Sequence, residues 1–151
     1  SYINNNGISD DDGNGGTGNL GLGYYFADRW GIYAELGGYT LSEDRFEKES
    51  DAAGAGFSLL LRWHFLKVDR FSLYIEGSAG LVELDTDFPY GGTRFNFVER
   101  AGLGATYELM DDLHLMGGVR WFHLSNADLD GAERNPAFDA LEYYAGLMFT
   151  F

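Results

Sequence analysis

Apolar and polar side chains alternate with a period of two residues along almost the whole of this chain. Successive residues of a strand point to opposite faces, so this pattern specifies half-apolar β-strands rather than helices. A strand over 18–26 sets Leu20, Leu22, Tyr24 and Phe26 against Gly21 and Gly23. The same alternation predicts strands over 31–40, 53–65, 71–82, 93–108, 113–126 and 139–151. All are long beside the average soluble strand of about five or six residues.

Each strand has one continuous apolar face and one that mixes charges, hydroxyls and glycines. Over 53–65, Ala55, Phe57, Leu59, Leu61, Trp63 and Phe65 share a face opposite Gly56, Ser58, Leu60, Arg62 and His64. A soluble barrel of lipocalin type would leave too many Leu and Phe side chains in water. A small outer-membrane barrel inverts the arrangement, with lipid on the apolar face and charges paired inside. Glu35, Arg62, Glu76, Arg94, Arg100, Glu108, Arg120 and Glu142 would form that internal network, Glu142 partnering Arg120. Trp30, Trp63, Tyr107 and Trp121, near strand ends, suit interfacial girdles. The 22 glycines and 12 phenylalanines against 2 prolines fit strands that bend and close. No apolar run approaches the roughly eighteen residues of a transmembrane helix.

Connection lengths alternate. Those over 27–30, 66–70 and 109–112 are short, and those over 41–52, 83–92 and 127–138 are long, the pattern of periplasmic turns and external loops. Seven strands are legible, and closed bacterial barrels have even strand numbers. The expectation is therefore all-β: an antiparallel eight-stranded outer-membrane β-barrel, its first strand largely missing from this sequence, with Ser1–Asn4 as that strand's outer end. Residues 1–151 read as a single transmembrane domain. The chain begins without a signal peptide and reads as processed or trimmed, so export is not legible in it. A pore is a poor fit, because eight strands enclose a lumen that side chains fill.

The formal charge of −14 excludes nucleic acid as a ligand. The acids cluster in 9–12, 42–51, 83–87 and 128–133, between apolar segments. Such runs are solvated loop tips, and in an outer membrane they could also hold divalent cations bridging lipid phosphates. Asp10-Asp11-Asp12-Gly13-Asn14-Gly15 has the flavour of a calcium loop without its spacing. There is no cysteine. His64 and His114 face inward by parity and His123 outward, so no metal constellation is expected.

On the strand over 113–126, alternation puts His123 and Ser125 on the lipid-facing side near its outer end. An ionisable group there is costly and marks function. Two residues apart on one face, the imidazole can take the serine proton for attack on an ester carbonyl. Asp139 shares the outward face and could orient the imidazole. Pairing across the turn at 110–112 places residues summing to 222 opposite one another, which sets Glu99 beside His123 as an alternative acid. From the residues alone, a non-catalytic barrel with a structural, adhesion or lipid-contact role stays open, and Ser125 separates the two readings.

The segment His123-Leu124-Ser125-Asn126-Ala127, followed by Asn135-Pro136-Ala137-Phe138-Asp139, resembles the outer-membrane lipid A 3-O-deacylase family over about thirty residues. The resemblance implies an eight-stranded barrel of the bacterial outer membrane. Its activity would be serine-esterase hydrolysis of the ester-linked 3-hydroxyacyl chain at position 3 of lipid A in lipopolysaccharide. It further implies His123 as base, Ser125 as nucleophile, Asp139 as orienting acid, and Asn126 as oxyanion stabiliser, largely through its backbone N–H. Ala137 stands where the family has glycine, and Asp139 is one methylene shorter than the glutamate described most often. Such hydrolysis requires no cofactor. Lipopolysaccharide and outer-membrane lipid are the implied partners, and acyl-chain length and oligomeric state are left open.

Overall fold

A computed structural model describes residues 1–5, 12–45 and 48–151. It contains eight antiparallel strands: β1 Tyr2–Asn4, β2 Asp12–Ala27, β3 Trp30–Arg45, β4 Lys48–Val68, β5 Phe71–Phe88, β6 Thr93–Met110, β7 Leu113–Ser125 and β8 Phe138–Phe149. A single 3-10 turn, Ala132–Arg134, interrupts the last connection. Each strand pairs with its sequence neighbours, and β1 also pairs with β8.

The expected barrel is corrected by the extent of that last pairing. Tyr2–Asn4 joins Asn14–Gly16 on one side and Leu141–Tyr143 on the other, and among the described residues this ladder, with the flanking bonds of Ser1 and Asn5, is where the ring of strands meets. Three residues span about 10 Å, a third of a hydrocarbon core of about 30 Å. Among the described residues, no ladder joins β2 to β8 below this point. Asn19, on the interior side of β2, is accordingly exposed. The eight antiparallel strands run in a closed ring, but β1 closes it with a three-residue ladder at the loop end, so the described residues do not build a barrel wall over its full height.

The register follows the alternation. Residues of β6 and β7 pair with a sum of 222 from Phe97↔Ser125 to Glu108↔His114, including Glu99↔His123. The turns at 28–29, 69–70 and 111–112 are short, as expected. Two of the long connections are not loops for most of their length: β3 and β5 run on to Arg45 and Phe88. Polar residues that continue the alternation, such as Ser42 with Asp51 and Glu43 with Ser50, can extend the ladder into water as readily as they can form a loop. Asp10 and Asp11, the start of the calcium-like run, lie outside the described residues.

Outward side chains include Leu20, Leu22, Leu36, Leu59, Leu103 and Leu147, all exposed. That is the surface a bilayer covers. No helix among the described residues is long and apolar enough to cross a membrane, which leaves open a crossing by strands. Trp30 and Trp63 pair across β3 and β4 and stack 5.7 Å apart at the turn end.

Inside the roll, Glu142 is fully buried and accepts from Arg100 Nε at 2.9 Å and Arg120 Nε at 2.7 Å. Ser1 Oγ and Thr17 Oγ1 donate to its other oxygen. Arg62 donates to Glu76 through both Nε and Nη2, and Arg120 Nη1 reaches Glu76 at 3.3 Å. Every one of these charges has an opposite charge in contact, the condition for tolerating it away from water. Arg94, assigned to this network from parity, is instead exposed and reaches the Leu84 carbonyl and Glu83. Tyr74 and Tyr144 meet hydroxyl to hydroxyl at 2.8 Å, and glycine at 104 and 118 makes the room. A Cβ at Gly104 would come within 2.5 Å of Tyr74, and one at Gly118 within 2.7 Å of Tyr144 Oη.

The interior is not polar throughout. Toward the loop end, Leu41, Val82, Leu84, Phe88, Val98, Phe122, Leu124 and Phe138 fill it as an apolar cluster. Phe122 and Leu124 are fully buried and flank position 123 on its own strand. Burying such side chains stabilises by about 1.5–3 kcal/mol each, which fixes the end of β7 rigidly.

Candidate active site on the outer wall

The three outward residues Trp121, His123 and Ser125 stand in a row along β7, because the strand alternates and Phe122 and Leu124 are held inside. His123 lies between Glu99 on β6 and Asp139 on β8 in direct register with both. Its ring nitrogens choose among these neighbours. Nδ1 contacts Asp139 Oδ1 at 2.9 Å, and Nε2 contacts Ser125 Oγ at 3.1 Å. A carboxylate only accepts, so Nδ1 carries the proton, and the Nε2 lone pair faces the serine hydroxyl. The side chains of His123 and Asp139 are 22% and 33% exposed, so the group is partly shielded but open on the lipid side.

Direct register explains why aspartate suffices. Opposed residues of neighbouring strands have Cβ atoms about 4.5–5.5 Å apart, within reach of a short carboxylate. Glu99, equally opposed, is exposed and lies beside a ring with both nitrogens already engaged. His123, Ser125, Asp139 and Glu99, which alternation and register place in one patch, lie together on the outward face.

From the sequence, Trp121 reads only as a girdle residue. Its Nε1 donates to the same Asp139 Oδ1 at 2.9 Å, and its ring stacks on His123 at 5.2 Å and 28°. The signal was present: Trp121 precedes His123 by two residues on the same face.

Beyond Ser125 the chain leaves the strand through Ala127 and Asp128, both in the left-handed region, with φ 52° and 60°. Asn126 anchors this departure. Its buried side chain donates to Thr93 Oγ1 at 3.1 Å and to the Arg134 carbonyl at 2.6 Å. Its backbone N–H, assigned to the oxyanion by resemblance, donates to Asn135 Oδ1 at 2.7 Å. Asn135 also donates to Asp128, and Arg134 to Asp87 and the Gly92 carbonyl, so the last loop is tied to the β5–β6 connection. A cavity of about 330 Å³ opens beside Asn126, and its charged lining is Arg94 and Arg134 with Glu83, Asp87 and Asp130.

A second serine–histidine contact lies inside the roll. His64 Nδ1 and Ser72 Oγ are 2.7 Å apart. That hydroxyl also contacts Thr106 Oγ1, and His64 Nε2 contacts Tyr25 Oη. Both residues are buried, 2% and 7% exposed, and among the described residues no carboxylate is bonded to the imidazole. An ester held in the bilayer could not reach them. Among the described residues, no group of three or more His, Cys, Asp or Glu could hold a metal ion.

A protein-family model described as "Lipid A 3-O-deacylase (PagL)" matches residues 18–148, most of the chain. In the comparisons with curated proteins and with solved structures, nothing matches.

Proposed function

Because the chain belongs to the lipid A 3-O-deacylase family, we propose that Ser125, His123 and Asp139 are the groups that carry out its reaction. That reaction is hydrolysis of the ester-linked 3-hydroxyacyl chain of lipopolysaccharide in the bacterial outer membrane. One observation carries the assignment: an unbroken hydrogen-bonded path from Ser125 Oγ through His123 to Asp139 on the lipid-facing wall.

Ser125 Oγ attacks the ester carbonyl as His123 Nε2 takes its proton, giving a tetrahedral oxyanion. Collapse breaks the ester C–O bond, and the imidazolium returns the proton to the departing sugar 3-oxygen. Water, deprotonated by His123, then attacks the acyl-serine, releasing the 3-hydroxy fatty acid and restoring Ser125. Asp139 holds the Nδ1–H tautomer and offsets the positive charge on His123 in both steps. Water is the only co-substrate this sequence of steps requires. The backbone N–H of Asn126 can meet the oxyanion once Asn135 Oδ1 gives it up.

The acyl chain lies in the bilayer against Phe97, Trp121 and Leu103, and the head group meets the cavity beside Asn126. There Arg94 pairs with Glu83, and Arg134 with Asp87 and Asp130, so the cavity brings polar groups but no excess positive charge to the head group. Residues 1–151 act as one transmembrane domain, since the pairing runs from each strand to the next without a break in order.

Mass spectrometry of lipid A incubated with the protein in detergent tests the assignment. The unmodified protein and Ser72→Ala should each remove one 3-hydroxyacyl chain, whereas Ser125→Ala and His123→Ala should remove none. Retained activity in folded Ser125→Ala, or its loss in folded Ser72→Ala, would overturn the proposal in favour of the interior pair.

A further inference from the structure

We propose that Trp121 is a positioning residue for the deacylation, acting through Asp139 and resting on the assignment of Asp139 as the acid that orients His123. Two N–H groups converge on one carboxylate oxygen: Trp121 Nε1 and His123 Nδ1 each lie 2.9 Å from Asp139 Oδ1. Trp121 opposes Leu141 in the β7–β8 ladder, which makes Asp139 its diagonal neighbour. Large aromatic side chains span that separation.

The two donors differ in one respect that matters. The imidazole cycles between neutral and protonated as the serine proton comes and goes. The indole N–H only donates and never ionises in this range. It therefore holds Oδ1 in one place while the strength of the His123 bond varies. Asp139 is a third exposed at the edge of the wall, so without that second donor its carboxylate could rotate toward solvent. A rotated carboxylate leaves the imidazole free to turn away from Ser125.

The stacked ring adds a second effect. At 5.2 Å and 28°, the indole covers one face of the imidazole and limits the rotation of that ring. Phenylalanine at position 121 would keep the covering and lose the N–H, so the two effects separate experimentally.

The test is a cycle of Trp121→Phe, Asp139→Ala and the double variant. Folding is checked by circular dichroism and heat-modifiable gel mobility, and kcat and KM are measured for fatty-acid release from purified lipid A in mixed micelles. Trp121→Phe should lower kcat about five- to tenfold with KM unchanged, the scale of one hydrogen bond to a partly exposed charged group. In the Asp139→Ala background the same change should alter kcat less than about twofold, since the shared acceptor is gone. A drop of equal size in both backgrounds, an unchanged kcat, or a raised KM alone would each overturn the inference. If Asp139→Ala lowers kcat and Trp121→Phe does not, only this inference falls. If Asp139→Ala itself leaves kcat intact, the assignment of the orienting acid fails and this inference falls with it.

Discussion

Replacing Asp139 by asparagine should be far less damaging here than in a buried serine–histidine–aspartate site. There the change costs on the order of 10⁴ in kcat, because the amide turns its NH2 toward the imidazole and forces the wrong tautomer. In this protein both contacts to the carboxylate arrive at Oδ1, from Trp121 Nε1 and His123 Nδ1. An indole N–H has no acceptor capacity, so it selects the amide rotamer whose carbonyl oxygen faces both donors. The imidazole keeps its proton on Nδ1, and only charge is lost. Exchanging a charge-assisted hydrogen bond for a neutral one costs about 1–1.5 kcal/mol. Losing the counter-charge to the imidazolium at a side chain 33% exposed adds about 1 kcal/mol, the scale of a solvent-screened pair. Together these give a fall in kcat of roughly thirty- to seventy-fold. The Trp121→Phe/Asp139→Asn protein has no such selector, and its kcat should fall toward the order of 10⁴. Initial rates of 3-hydroxy fatty acid release at saturating lipid A, normalised to folded protein, measure both. A loss near 10⁴ in Asp139→Asn alone, or equal rates in the single and double variants, would refute the reasoning.

Glu99→Gln should leave kcat within about threefold, under ~0.7 kcal/mol, because both nitrogens of His123 are bonded elsewhere; a larger fall in the same assay would make Glu99 the orienting acid. Glu142→Gln should destabilise the fold by about 3 kcal/mol, since it removes the buried negative charge that Arg100 and Arg120 share. Urea unfolding followed by tryptophan fluorescence reads that loss, and a change below about 1 kcal/mol would mean that the remaining partners of the two arginines suffice.

Period-two alternation needs no tertiary information to say which residues share a face. The sequence alone therefore determined the strand order, the outward row from Trp121 to Ser125, the pairing of Glu99 with His123, and Glu142 as partner of Arg120. The family motif likewise lies in contiguous residues, and the family-wide match extends it over most of the chain. Four things could be settled only by the folded chain. Among the described residues the ladder that closes the wall is Tyr2–Asn4, because closure depends on pairing between the first and last strands that no local pattern encodes. The interior turned apolar toward the loops, because alternation labels a face without saying whether water, lipid or packed side chains cover it. Which of Asp139 and Glu99 hydrogen-bonds to His123, left open by alternation and register, and the convergence of Trp121 on Asp139 also needed the folded chain. Register brings both acids beside His123, and ångström-scale side-chain geometry decides which one bonds to it.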